Sequence, residues 1–535
     1  MKEELRILLL ALQQHQHQIV MDYLFLSALG WIYWQKIHSL SLRAFLIGTS
    51  AALSLFALGA YVFAIALYLL GPNYPDHIQA GVTAISWLWM HGGDLYPNWV
   101  NGPVYGFSYG PVLFLINGIA LLLSPSILSS KLPGVLSLAA ALGATWVLLE
   151  WKTASRLVSL ILLSSLVMLL AAFNESSYWN RPEPFLTLLS VLALLLAIRS
   201  SPGLAVVGIG LLAGIATALK LYGFIFTIPA AAAALARVEN PRRVVLAIVG
   251  IACAVTSALP PYLEEGVSIF GFFRFLRLAL DEGFPPSQFV ENVLFVVILT
   301  APIIAIWIGR KHKLNSSERW LIAALGPSLA LITVIGAKSG GGTYYLLPLI
   351  PLCIYATAVV YAPPDTEPWN TEALNTETWK IASLIFVPYF LAYGPNLALN
   401  IASYRSDAAP ERRKVAELKS YLDSYPQAQI GVSDNEHYSS YSYRVFSVWN
   451  GHPLDVDFGT WMDLAYVGAD EKYILRFVKA CTIPVWILPL GEPFSMDNLF
   501  FGLGPLLSEN FRQTFLANYR QIETGEAYQV WKCKS

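Results

Sequence analysis

The sequence is short of charge. Only 13% of its 535 residues are Asp, Glu, Lys or Arg, against about 25% in an average soluble domain. Meanwhile 56% are hydrophobic and 13% aromatic. The shortage is uneven, with 29 charged residues in 401–535 and only 40 in the first 400. That distribution excludes a single soluble globule and a disordered chain. A basic excess is also missing: 34 Lys and Arg stand against 35 Asp and Glu. A net charge of −1 offers no field for phosphate backbones, so no nucleic-acid partner is expected.

Cysteine is scarce too. Four residues, Cys253, Cys353, Cys481 and Cys533, are too few and too scattered for a disulfide framework or a zinc cluster. Cys253 and Cys353 fall inside apolar runs and read as small packing residues. Cys481 and Cys533 share the charged tail and could pair if it faces an oxidising compartment. No GxGxxG lies between a strand and a helix, and no phosphate-loop lysine is present, so cytosolic nucleotide or nucleotide-sugar use has no support. No cleavable signal peptide is evident, because the apolar stretch Ile7–Leu12 is short and runs into polar residues.

Long apolar runs are what the chain has in abundance. Spanning a bilayer takes roughly 17–25 residues. The runs of that kind cover 44–70, 131–149, 157–173, 183–199, 203–219, 221–236, 243–260, 289–309, 320–337, 343–361 and 381–400. Two further segments are short: 19–34, which contains Asp22, and 111–123. The positive-inside rule decides the second. If 111–123 does not span, the loops at 150–156, 199–202, 237–243 and 310–319 fall on one side. They carry Lys152, Arg156, Arg199, Arg237, Arg242, Arg243, Arg310, Lys311, Lys313 and Arg319, which marks that side as cytoplasmic. Residues 111–123 therefore read as a surface-lying helix. The acidic loop 362–380 fits this scheme poorly, although acidic residues contribute little to orientation.

The fold expected is a polytopic α-helical membrane protein of about 11–12 transmembrane helices, followed by an external α/β soluble domain. Residues 1–43 form a cytoplasmic or interfacial segment, or one extra span. Residues 44–400 form the multi-spanning domain, with a long first external loop at 71–130, and 401–535 form the soluble domain. In that tail, 410–424 has helical periodicity, with Val415, Leu418 and Leu422 on one face. Strand-like runs follow at 429–432, 485–488 and 528–531.

Polar residues that break the apolar pattern collect on the external side. Asp76, next to His77, opens the first loop (GPNYPDHIQAG). It reads equally as an N-cap for a helix over 77–90 or as a carboxylate at the membrane boundary, where partial desolvation would raise its pKa towards use as a base. The loop continues with HGGDLYPNWVNGPVYGFSYGP, a mixture suited to interface anchoring or to a sugar-binding groove. There His91 and Asp94 read as turn formers. The second external loop, NESSYWNRPEPF, holds Glu175, Arg181 and Glu183. Charge at membrane depth is costly and points to function. Arg181 offers a fork matched to phosphate oxygens, or else belongs to an Arg–Glu pair that neutralises itself. Lys220 interrupts GIATALKLYGF as a second phosphate ligand or as a snorkelling residue. The stretch 262–288, with Arg274 and Arg277 among Phe and Leu, reads as a helix in the headgroup layer. The patch KSGGGTYY, with Lys338, Tyr344 and Tyr345, either admits a ligand close to the backbone or makes a tight turn.

The order of these features resembles the C-type (GT-C) polytopic membrane glycosyltransferases, a superfamily that includes protein O-mannosyltransferases and lipid A aminoarabinose transferases. The features are Asp76 after the first span, GGDLY and YGP in the first loop, RPE in the second, Lys220 after Gly210 and Gly214, YYLLPLIP near the last spans, and a soluble tail. The resemblance covers 44–400 in detail and the tail in layout only. It implies Asp76 as the base acting on the acceptor. It implies Glu183 as the second-loop acid, where Asp is more usual. Some relatives use a divalent metal bridging loop carboxylates; nothing here is dense enough in Asp and Glu to demand one, so metal use stays open.

The reaction implied is transfer from a polyprenyl-phosphate sugar donor to a glycan, lipid or protein acceptor. Arg181 and Lys220 would hold the donor phosphate, with His77, Glu175, Lys338, Tyr344 and Tyr345 as further substrate-binding candidates. The location implied is a bacterial plasma membrane, with site and tail facing outside or the periplasm. The rival reading is a lipid-linked sugar transporter or flippase, whose polar residues should line a path through the spans rather than gather on one side.

Overall fold

The computed structural model describes residues 40–309, 314–362, 385–499 and 504–534. Expectations for 1–39, including the segment 19–34, for Arg310, Lys311 and Lys313, and for nearly all of the acidic loop 362–380 lie outside the described residues.

Each of the eleven long apolar runs carries a helix over its described residues. After α1 (Leu40–Leu70), the first loop folds into α2 (His77–Met90) and α3 (Pro111–Leu123). The bundle continues with α4 (Ile127–Thr153), α5 (Arg156–Ala171), α6 (Pro182–Arg199), α7 (Pro202–Leu219) and α8 (Ile228–Leu235). Then come α9 (Arg242–Ala258), α10 (Ile269–Asp281), α11 (Pro286–Gly309), α12 (Ser316–Ile335), α13 (Ile350–Tyr361) and α14 (Val387–Ser424). Among the described residues eight helices are long and apolar enough to cross a membrane, so the chain is an integral membrane protein. Helix α5, at 16 residues, and the segment Gly223–Leu235 that contains α8 are apolar but shorter. Helix α3 has 13 residues with Pro111 at its first turn, below spanning length, and it packs on α2 and α4.

The basic loops meet at one end of the bundle. Lys152 pairs with Glu318 at 2.6 Å, Arg199 stacks on Trp151 at 3.7 Å, and Arg237 donates to the Ala197 carbonyl. No residue of α9 is buried, because it touches the rest mainly through α7. Small residues make that contact close: a Cβ on Gly210 would lie 2.3 Å from the Gly250 carbonyl oxygen, and one on Gly214 2.0 Å from Ser257 Oγ. This is the small-residue packing by which helices associate in lipid.

Helix α14 runs unbroken through residue 401 into the tail, so the last apolar run and the expected helix 410–424 are one element. Leu418 and Leu422 are buried and Val415 packs beside them. The tail sheet has four strands, β1 (Ala428–Ile430), β2 (Val485–Pro489), β3 (Tyr519–Thr524) and β4 (Tyr528–Cys533), in the order β1-β2-β4-β3. β1 and β2 are parallel; β4 runs antiparallel to both β2 and β3, with Trp486 opposite Trp531. Strand β3 has no counterpart in the sequence reading. Only its first residue is buried, so it lacks the apolar alternation that marks a strand. Around the sheet lie α15 (Val445–Trp449), α16 (Phe458–Tyr466), α17 (Lys472–Lys479) and α18 (Glu509–Asn518).

Cys481 and Cys533 form a disulfide across 52 residues, tying the end of α17 to β4. Closing a loop of that length restricts the unfolded chain by about 4 kcal/mol. The double variant Cys481→Ala/Cys533→Ala is therefore expected to unfold its tail at a markedly lower temperature than the oxidised protein. Equal melting of the two would show that the bond adds no stability.

Candidate functional site

The site lies at the end of the bundle opposite the basic loops, where loops from four parts of the chain converge. Asp76 is the N-cap of α2, accepting a hydrogen bond from the Ile78 amide at 3.2 Å. Its other oxygen receives Arg181 Nη1 at 2.8 Å, and His77 Nδ1 lies 3.1 Å from the capping oxygen. The residue is thus both a cap and a member of a charged network. The expected rise in its pKa does not occur. Burial pushes the carboxyl up, but His77 and the Arg181 guanidinium together hold it well below the usual carboxylate range.

Arg181 sits immediately before α6, where Pro182 starts the helix. Its guanidinium stacks on Trp179 at 3.8 Å, and Nη2 donates to the Tyr344 hydroxyl at 3.2 Å. The side chain is buried, yet its Nε has no hydrogen-bond partner among the described residues. An unpaired buried donor is costly, which marks the guanidinium as a place where an oxygen ligand would gain a bond.

Glu183 does not pair with Arg181, the self-neutralising alternative left open by the sequence. It accepts from Lys220 Nζ at 2.9 Å and from Trp179 Nε1 at 2.8 Å. Lys220 caps the C-terminal end of α7 and lies 3.7 Å over the Tyr345 ring. Tyr109, from the YGP of the first loop, faces both cations at 5.8 and 5.6 Å. Gly110 permits this contact, because a Cβ there would lie 2.1 Å from the Ala218 carbonyl oxygen. Asp76, His77, Arg181, Glu183, Lys220, Tyr344 and Tyr345 thus form one cluster.

The other two expected residues lie at its margin. Glu175 lies on a short 3-10 turn; burial pushes its carboxyl up to about 7, against a hydrogen bond to its own backbone that lowers it, and the charge of Asp76 adds to the rise. Lys338 pairs with Glu282 at 2.5 Å rather than with the cluster, although Tyr344, which follows in its glycine patch, bonds both Arg181 and the Gly340 carbonyl. Among the described residues no group of three or more His, Cys, Asp or Glu side chains is arranged to hold a metal.

Sequence reading missed two supports of this site. Lys131, at the mouth of α4, is buried and donates to the Tyr68 and Gly71 carbonyls at 2.7 and 3.1 Å. It thereby fastens the turn that leads to Asp76. Its signal was a lysine opening an apolar run. Arg444 reaches from the tail to the His77 carbonyl at 3.0 Å while pairing with Asp457 at 2.9 Å, and no local pattern announces it. The amphipathic helix expected within 262–288 is present as α10, with Phe272 and Phe275 buried and Phe270 and Phe273 exposed. Arg274 Nη1 meets Asn98 Oδ1 at 2.5 Å.

Comparison with known proteins agrees with this architecture. No protein-family model matches the sequence, and no curated protein matches it. Among solved structures, ArnT from Cupriavidus metallidurans in the apo state aligns with a TM-score of 0.54 at 13% identity, covering 90% of this chain and 98% of that one. The same protein bound to undecaprenyl phosphate also aligns at 0.54 and 13%, covering 89% and 97%. At this identity the likeness is one of fold. The chain has the C-type membrane glycosyltransferase fold that the order of its motifs resembled.

Proposed function

We propose that the protein transfers a sugar from a polyprenyl-phosphate donor to an acceptor hydroxyl on the external face of the membrane. The observation that carries this reading is the crosswise pairing of Asp76 with Arg181 and of Glu183 with Lys220 under one aromatic wall. Two cations at the mouth of the bundle suit a phosphate, and Arg181 Nε is available to it. The Cys481–Cys533 disulfide favours an oxidising compartment for the tail.

In this mechanism the donor phosphate binds Arg181 and Lys220, and the lipid tail lies among the spans. The acceptor oxygen bonds to the anomeric carbon from the face opposite the phosphate. The bond from that carbon to the phosphate oxygen breaks, and its electron pair leaves as polyprenyl phosphate, whose growing charge the two cations stabilise. The hydroxyl proton passes to Asp76. While Arg181 faces Asp76 the carboxylate is weakly basic; a phosphate drawing on the same guanidinium weakens that pair and restores basicity when the donor is present.

The decisive experiment incubates the purified protein with a panel of polyprenyl-phospho-sugars and acceptors, following release of polyprenyl phosphate. Release with one donor supports the reading. No turnover across the panel would shift the assignment to a lipid-linked sugar transporter. Against that alternative, Asp76, Arg181, Glu183 and Lys220 gather at one end of the bundle rather than along a path through it.

A further inference from the structure

Helix α3 is apolar along its length except at Asn117, which is buried. A polar side chain inside an apolar bundle is costly unless it is hydrogen-bonded, and this one reaches across to the second external loop. Asn117 Nδ2 donates to the Asn180 carbonyl at 3.1 Å and to the Leu113 carbonyl, one turn back on its own helix, at 2.9 Å. The stretch that receives it has little else to shape it. Residues 178–181 are buried, and they lie between a short 3-10 turn and α6 with no helix or strand ladder of their own. Buried backbone groups need partners, but Pro182 and Pro184, at the start of α6, have no N–H to offer the Asn180 carbonyl. Asn117 supplies that donor.

Two further elements hold the same stretch. The Asn180 side chain ties it to α2, donating through Nδ2 to Thr83 Oγ1 at 2.9 Å and to the Gln79 carbonyl at 3.2 Å. Helix α4 closes in at Gly134, where a Cβ would lie 1.9 Å from the Trp179 carbonyl oxygen. The backbone that leads into Arg181 is thus gripped by α2, α3 and α4 together, and from that point the guanidinium turns to Asp76 with Trp179 stacked against it.

These bonds add little to overall stability. Asn117 Oδ1 and Asn180 Oδ1 are buried without a hydrogen-bond partner among the described residues, and an unpaired buried acceptor costs about what a hydrogen bond gains. In Asn117→Leu the Asn180 carbonyl replaces Asn117 Oδ1 as the unpaired acceptor, one for one. What changes is the restraint on the carbonyl directly before Arg181.

We propose that Asn117 is a positioning residue: by holding the Asn180 carbonyl it sets Arg181 where the guanidinium meets both Asp76 and the donor phosphate. The phosphate half of this rests on the transfer reading above; the restraint on residues 178–181 does not. The test compares the full-length protein in detergent with Asn117→Leu, Asn180→Ala, Arg181→Met and the double variant Asn117→Leu/Arg181→Met. Asn117→Leu is expected to melt close to the parent protein while amide hydrogen exchange rises in residues 174–183. It should also bind polyprenyl phosphate about tenfold more weakly, the scale of one well-placed hydrogen bond. Asn180→Ala, which loses the ties to α2, should weaken binding in the same direction, and it carries the same comparison if Asn117→Leu fails to fold. In the Arg181→Met background Asn117→Leu should have no further effect on binding, because a residue that acts through Arg181 then has nothing to place. The proposal is overturned if Asn117→Leu leaves exchange or binding as in the parent protein, or if it weakens binding equally in both backgrounds, as a merely structural role would. Arg181→Met binding as tightly as the parent protein would overturn the donor reading and the phosphate half of this one, while hydrogen exchange still decides the restraint.

Discussion

Asp76→Asn is expected to reduce transfer by about 10³-fold, the scale of a lost general base, while leaving the fold in place. The reasoning follows from the two jobs of the side chain. As N-cap of α2 it accepts from the Ile78 amide, and Asn caps a helix as well as Asp does. As an acid–base group it must take a proton and balance Arg181, and an amide does neither. Removing the charge also frees the Arg181 guanidinium from its carboxylate partner, so polyprenyl phosphate should bind the variant at least as tightly as the parent protein. Transfer assays, melting curves and lipid-phosphate binding check the three parts together. Unchanged transfer would remove Asp76 from the reaction. Weakened phosphate binding would mean that Arg181 does not receive the donor.

Arg444→Met carries the largest expected cost in stability. Arg444 is 1% exposed and Asp457 is fully buried, so the substitution leaves a carboxylate in the interior without its guanidinium partner. Breaking such a pair from one side costs about 3–5 kcal/mol. Asp457 would keep the Tyr441 hydroxyl at 2.6 Å and the Gly459 amide at 3.3 Å, which satisfies its hydrogen bonding but not its charge. Adding Asp457→Asn to the same chain removes the stranded charge and should recover much of the loss, the non-additivity expected of partners in contact. Unfolding of the full chain in detergent measures both variants. A single variant as stable as the parent protein would mean that the ion pair does not secure the tail. The tie from Arg444 to the His77 carbonyl adds a consequence at a distance. The first turn of α2, which presents Asp76, loses its hold on the tail, so turnover should fall further than the lost stability alone explains.

Much of this architecture was legible residue by residue. Runs of apolar residues announced the helices, because a chain in lipid must satisfy its backbone internally and helices do so. The basic loops shared a side in the sequence, and their side chains meet at one end of the bundle. Residues 111–123 were too short to span, and they form a short helix packed on the first loop. The continuous helix through residue 401 was hidden because its apolar half and its charged half look like different domains by composition. Strand β3 was hidden because it shows almost no buried face.

The sequence by itself determined an integral membrane protein, the positions of its apolar helices, and a scarce set of acids and bases between them, because composition and periodicity are local properties. Only the tertiary structure decided which acid faces which base. Arg181 and Glu183 are two residues apart, yet Arg181 turns to Asp76 and Glu183 to Lys220, since Arg181 is still in extended backbone before α6 while Glu183 lies in its first turn. The same convergence reversed the expected pKa shift of Asp76. Burial was foreseeable from its position, but the guanidinium and imidazole that outweigh burial arrive from elsewhere in the fold or from local geometry that only the folded turn creates. The joining of Cys481 to Cys533, and of Arg444 to α2, likewise needed the chain to bring distant residues within bonding distance.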